Sequence, residues 1–104
     1  MKTVEAYFCS WCFPPLDSEE KDHATVEIKR TDGTWEEIFR VPLGKDESIS
    51  VESQRMCARA VLRHFLGYEP SMRQVTELVN MRGTSLCRLE PEQLMKFKQL
   101  SLFG

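Results

Sequence analysis

Nowhere in this chain do apolar residues run unbroken toward the ~20 that a membrane-crossing helix requires, so no membrane partner is expected. The five glycines are scattered singly, which leaves no glycine-rich loop to cradle a phosphate. Only two histidines occur, His23 and His64, and neither has a nucleophile or acid partner at a recognisable spacing. No catalytic set follows from these residues, so an enzyme is not expected, and no small-molecule substrate is evident. Strong charge of either sign is also missing: the net charge is −2, far from the basic excess of a dedicated DNA-binding domain. The opening "MKTVEAYFCSW" does not read as a secretory leader, because Glu5 interrupts its apolar stretch. That points to the cytoplasm, where the four cysteines are expected as thiols unless they hold a metal. There is no internal repeat and no low-complexity tract.

What is present is an ordinary globular composition, with 41% apolar and 29% charged residues in 104 positions. That length is one domain and buries a real core without disulfides or metal. Charge is uneven along it. Residues 1–47 carry 6 Lys/Arg against 11 Asp/Glu, a balance of −5, and residues 48–104 carry 8 against 5, a balance of +3. An acidic front half and a mildly basic back half can steer a partner.

The residue pattern changes period midway. "KTVEAYF" alternates as a strand, with Val4, Ala6 and Phe8 on one face. "CSWCFPPLDSEEKD" reads as a loop, with paired prolines and an acidic cluster. "HATVEIKR" and "TWEEIFRVP" flank "TDGT", a strong hairpin signal. From residue 50 the apolar spacing becomes helical. Ser50 can cap a helix whose stripe is Val51, Cys57, Ala58, Val61, Leu62 and Phe65, ended by Gly67. Ser71 caps a second, with Met72, Val75, Leu78 and Val79 on one side. "SLCRL" fits a short strand or a turn. "EPEQLMKFKQL" starts a third helix at Pro91, with Leu94 and Phe97 on its apolar side. Strands followed by helices predict an α+β fold: a small antiparallel sheet of about three strands with two or three helices packed on one face.

Two groups of residues are candidates for chemistry in the body. Cys9 and Cys12 form a C-x-x-C, a spacing at which two thiolates can share one zinc ion or exchange a disulfide. A structural zinc needs two more ligands, and the other candidates, Cys57, His64, Cys87 and His23, are scattered singly. No zinc or other cofactor is therefore expected, and two ordinary thiols in a loop are the simpler reading. "MKTVEAYFCSWC" resembles the opening strand and dithiol of glutaredoxins, but that dithiol must open a helix, which "FPPLDSEE" does not do. Arg55, Arg59 and Arg63 recur at i, i+4 and i+8 along the first helix. They are a stripe for phosphates or, more simply, a solvated face diluted by Glu52 and Glu69.

The last residues, "KQLSLFG", place two leucines and a phenylalanine on what would ordinarily be a frayed end. One reading continues the third helix through Leu94, Phe97, Leu100 and Phe103. The other is a linear peptide: Gln99, Leu100, Ser101, Leu102 and Phe103. That pentad resembles, position by position, the short peptide by which bacterial polymerases, mismatch-repair proteins and replication regulators dock on the β sliding clamp. The resemblance covers these five residues alone. It implies a body over 1–97, a docking peptide over 98–104, a sliding-clamp partner and indirect proximity to DNA. It also implies a bacterial or phage adaptor or inhibitor. A zinc-stabilised or thiol-active protein, or a nucleic-acid-binding module, with the tail as core helix, is the alternative.

Overall fold

The structure is a computed structural model and describes residues 3–43, 51–82 and 87–100. Strand β1 spans Val4–Cys12, β2 spans His23–Arg30 and β3 spans Trp35–Pro42. Helices α1 (Val51–Leu66) and α2 (Met72–Arg82) follow. The chain then returns to the sheet as β4 (Arg88–Leu89) and continues into two short helices, α3 (Pro91–Leu94) and α4 (Lys96–Leu100). The sheet is wholly antiparallel, in the order β3-β2-β1-β4. The fold is α+β.

Asp32 and Gly33 close the β2–β3 hairpin as "TDGT" predicts. Gly33 takes φ +89°, and its N–H donates to the Arg30 carbonyl at 2.9 Å. The Asp32 carboxylate accepts from both the backbone N–H and the hydroxyl of Thr34. Only Gly33 needs a positive φ here; Asp32 stays in ordinary space.

β1 runs further than its first seven residues suggest. The "CSWC" stretch expected in a loop is strand, because Cys9, Ser10, Trp11 and Cys12 pair in unbroken register with Val26, Thr25, Ala24 and His23. The face assignment of β1 is also corrected. A register shift between Val4 and Ala6 inserts one residue and flips the alternation. Val4 packs against the core with Tyr7, Cys9 and Trp11, while Ala6 and Phe8 lie on the opposite side. A second shift, between Val26 and Glu27 on β2 opposite Ile38, lets both Ile38 and Phe39 pack on the core.

The helices cover one sheet face. Tyr7, Cys9, Val26, Ile28 and Leu89 from the strands meet Cys57, Val61 and Leu62 of α1, Leu78 of α2, and Leu94 and Phe97 beyond. Each fully buried Leu or Phe there contributes roughly 1.5–3 kcal/mol. The α1 stripe is as expected at Cys57, Ala58, Val61 and Leu62, with Phe65 partly buried against the core. It fails at Val51, which is 56% exposed, and the α2 stripe fails at Met72, 73% exposed. Both sit at helix starts, beyond the edge of the sheet-facing cluster.

Helix termini follow local rules. Ser71 and Gln74 form a reciprocal capping box on α2, with bonds of 3.1 and 2.8 Å. The candidate cap Ser50 lies outside the described residues. Gly67, at φ +81°, ends α1 with its N–H on the Arg63 carbonyl. "SLCRL" resolves as a strand at Arg88–Leu89, opposite Phe8 and Tyr7. The expected single third helix is instead two. Met95 donates to the Glu92 carbonyl and Lys98 to the Met95 carbonyl, tight three-residue bonds that break the α ladder between them.

Candidate functional site

The tail motif begins where the core ends. Phe97 is fully buried, and its carbonyl accepts from the Gln74 Nε2 at 3.0 Å. Gln74 is itself almost wholly enclosed, so α2 clamps the backbone of α4 from the side. Of the candidate pentad, Gln99 and Leu100 form the final residues of α4. Ser101, Leu102 and Phe103 lie outside the described residues. Leu94 and Phe97, the first two residues of the helical reading, are core, but they sit on two separate helices.

The cysteines are arranged differently from their spacing. Strand alternation turns residues an odd number apart to opposite faces, and three steps along a strand cover ~10 Å. Cys9 is accordingly buried and Cys12 exposed, so the two thiols do not converge on one ion. Among the described residues no group of three or more His, Cys, Asp or Glu is placed to hold a metal.

Cys9 packs in the core instead. The neighbouring Cys57 thiol of α1, together with burial, pushes the Cys9 thiol well up, and the same interaction lowers the Cys57 thiol from its ordinary value. On the other side, the Cys9 N–H donates to the Cys87 carbonyl at 3.1 Å. This extends the β1–β4 ladder by one pair beyond Phe8 and Arg88. Alternation puts Cys87 on the same face as Leu89 and Cys9. Cys57 is enclosed and Cys87 exposed. Cys9 thus has the Cys87 backbone beside it across the sheet and shares the buried core with Cys57. Their sequence positions gave no signal of this, because the β1–β4 pairing joins residues far apart in the chain.

Arg55, Arg59 and Arg63 are all exposed on α1. Glu69, in the α1–α2 connection, pairs with both Arg59 and Arg63, the latter at 3.2 Å. That one carboxylate offsets part of the charge of the stripe. Beside it a cavity of about 320 Å³ opens between α1 and α2, lined by Arg55, Met56, Arg59, Glu69, Met72 and Val75.

The face of the sheet opposite the core carries an aromatic pair. Phe8 and Trp35 lie 5.1 Å apart between ring centroids, with Arg88 over Phe8 and Lys29 over Trp35. Lys29 also pairs with Glu5 at 3.2 Å, and Glu27 and Glu37 share this face. Cations and carboxylates alternate, so no sign of charge prevails.

Tyr7 and His64 join the sheet to α1 through one hydrogen bond, 2.8 Å from hydroxyl to Nδ1. Burial pushes Tyr7 up to about 12 and, with Arg30 nearby, pulls His64 below its ordinary value. His23 is held by its Nδ1 on the Lys21 carbonyl.

Comparisons with protein-family models, with characterised proteins and with solved structures return no match for this chain.

Proposed function

We propose that this protein is a non-enzymatic adaptor or inhibitor that docks on the bacterial β sliding clamp through Gln99, Leu100, Ser101, Leu102 and Phe103. The observation that carries the reading is the five-residue match. The position of Phe97 supports it: the core closes on that side chain, two residues before the motif begins.

The chemistry of the pentad suits a groove on another protein. The glutamine side chain offers a donor and an acceptor that set register. Three apolar anchors at roughly 1.5–3 kcal/mol each give about 4.5–9 kcal/mol before the ordering cost of the peptide is subtracted, so the interaction is about micromolar at its strongest. Several identical sites on a ring raise the effective affinity of any multivalent partner. The role places the protein in a bacterial or phage-infected cytoplasm beside replicating DNA. There it either brings its body to the clamp or keeps polymerases and repair proteins off it.

The test is titration of the full-length protein against purified β clamp, with a Leu102→Ala/Phe103→Ala double variant beside it. The expected affinity is about 1 μM at its strongest. The double variant should bind about 100-fold more weakly or worse, since two anchors are gone, and should melt like the parent. Absence of binding at ~100 μM, or equal binding by the double variant, overturns the proposal.

A further inference from the structure

We infer that the chain pairs with a second copy of itself, the turn between β1 and β2 of each copy seated in the α1–α2 cavity of the other about a two-fold axis. The turn displays one apolar side chain. Pro14 and Pro15 stiffen its approach. The Ser18 N–H donates to the Pro15 carbonyl at 2.9 Å, closing a β-turn with Leu16 at its second position. The Ser18 hydroxyl accepts from the Glu20 N–H at 3.1 Å and fixes the exit. Leu16 stands wholly in solvent at the tip, and Phe13 at the base is half exposed. Residues 16–20 add three carboxylates, Asp17, Glu19 and Glu20, and no cation. An isolated surface leucine is ordinary. One held out by a closed turn has little ordering left to lose when it docks.

The cavity has the complementary character. Met56, Met72 and Val75 give it an apolar wall, and methionine side chains adapt to the apolar shape that enters. Arg55 and Arg59 line it together with Glu52 and Glu69. Glu69 is occupied by Arg59 and Arg63, while Arg55 makes no ion pair among the described residues. A second cavity shares Met56 and Arg59 and extends to Phe39 and Arg63, so the groove runs on along α1. Three guanidiniums and two carboxylates line the whole groove, and the incoming turn brings three carboxylates of its own. The turn belongs to the acidic half of the chain and the cavity lining almost wholly to the basic half. A two-fold pair satisfies both turns and both cavities at once and leaves no open contact for a third copy. The contact is small, so the pair forms and parts with concentration.

Sedimentation equilibrium of the full-length protein reads the pairing. Between about 10 μM and 1 mM, the range of weak contacts of low area, the mean mass should rise from one copy to two and level there. Leu16→Ser alters only the exposed tip, removes an anchor from both contacts and should weaken pairing about 100-fold or more. Glu19→Arg/Glu20→Arg and Arg55→Glu/Arg59→Glu should each stay single, because like charges then meet at both contacts. An equimolar mixture of those two variants should pair again, since one contact is then the parental one and the other has both signs exchanged. Circular dichroism verifies that each variant is folded. Any of four results overturns the inference: a single copy at ~1 mM, a mass that climbs past two copies without levelling, Leu16→Ser pairing like the parent, or a charge-exchanged mixture that stays single.

Discussion

The Tyr7 hydroxyl and the His64 Nδ1 share a hydrogen bond of 2.8 Å, with their rings edge to face at 5.5 Å between centroids. The bond ties the middle of β1 to the last turns of α1. Burial is the main cause of both pKa shifts, and the two shifts act at opposite ends of the pH scale.

On the acid side, the fold keeps His64 neutral. Its folded pKa is depressed, so the unfolded chain takes up the proton first as pH falls. The stability owed to this site is full above the ordinary imidazole value near 6.5 and declines as pH drops below it. His64 is partly open to water, which keeps the effect small. Melting curves between about pH 5 and 8 should show a steeper acid decline in the parent than in a His64→Gln variant.

On the alkaline side, Tyr7 is raised from 10.0 to about 12. The unfolded chain loses the phenolic proton first as pH rises, so stability is full below 10 and falls between 10 and about 12. Tyr7→Phe should cost about 1 kcal/mol at neutral pH through the lost hydrogen bond. It should also flatten the alkaline decline in urea titrations.

Phe97 and the docking pair should separate cleanly in stability measurements. Phe97→Ala leaves a void in the core and unpacks α4 from α2, at a cost of about 3–5 kcal/mol. Leu102→Ala/Phe103→Ala should change the unfolding free energy measured in urea by less than about 0.5 kcal/mol. A large loss in the double variant would move those two side chains into the core and sink the docking proposal.

Glu69 receives two arginines on the protein surface. Exposed ion pairs contribute about 0.2–1 kcal/mol, so Glu69→Gln should lower stability only slightly at low salt. At ~1 M salt, where charges are screened within about 3 Å, parent and variant should melt together.

Gly33 sits at φ +89° with nothing within 4 Å of a built Cβ. Gly33→Ala therefore meets no clash, only the left-handed backbone penalty of about 1–2 kcal/mol. Chemical denaturation should read that loss, and Gly33→Asn should lose less, since asparagine visits this region more readily.

Local patterns carried much of this fold. The "TDGT" hairpin, the Ser71 cap, the Gly67 stop and the buried run of α1 each depend on a few adjacent residues, and each formed as the pattern predicts. The faces of β1 were not legible. One inserted residue at its start exchanges Ala6 and Phe8 for Tyr7 and Cys9 on the core side, and no composition rule marks the insertion. The extension of β1 through Cys12 was hidden as well, because pairing with β2 overrides the turn character of the residues that follow.

The candidate sites divide the same way. The proposed docking pentad, residues 99 to 103, is read from the order of its residues alone. The surroundings of Cys9 have no linear signal: C-x-x-C pointed to Cys12, while strand alternation turns Cys9 into the core with Cys57 and the β4 return sets the Cys87 backbone beside it. Residue order alone determined the α+β class, the hairpin, the helix ends and the motif, since each rests on contacts between near neighbours. Which face of β1 turns inward, where the last helix breaks, and what surrounds Cys9 were decided only in three dimensions, since each is a matter of what distant segments press against.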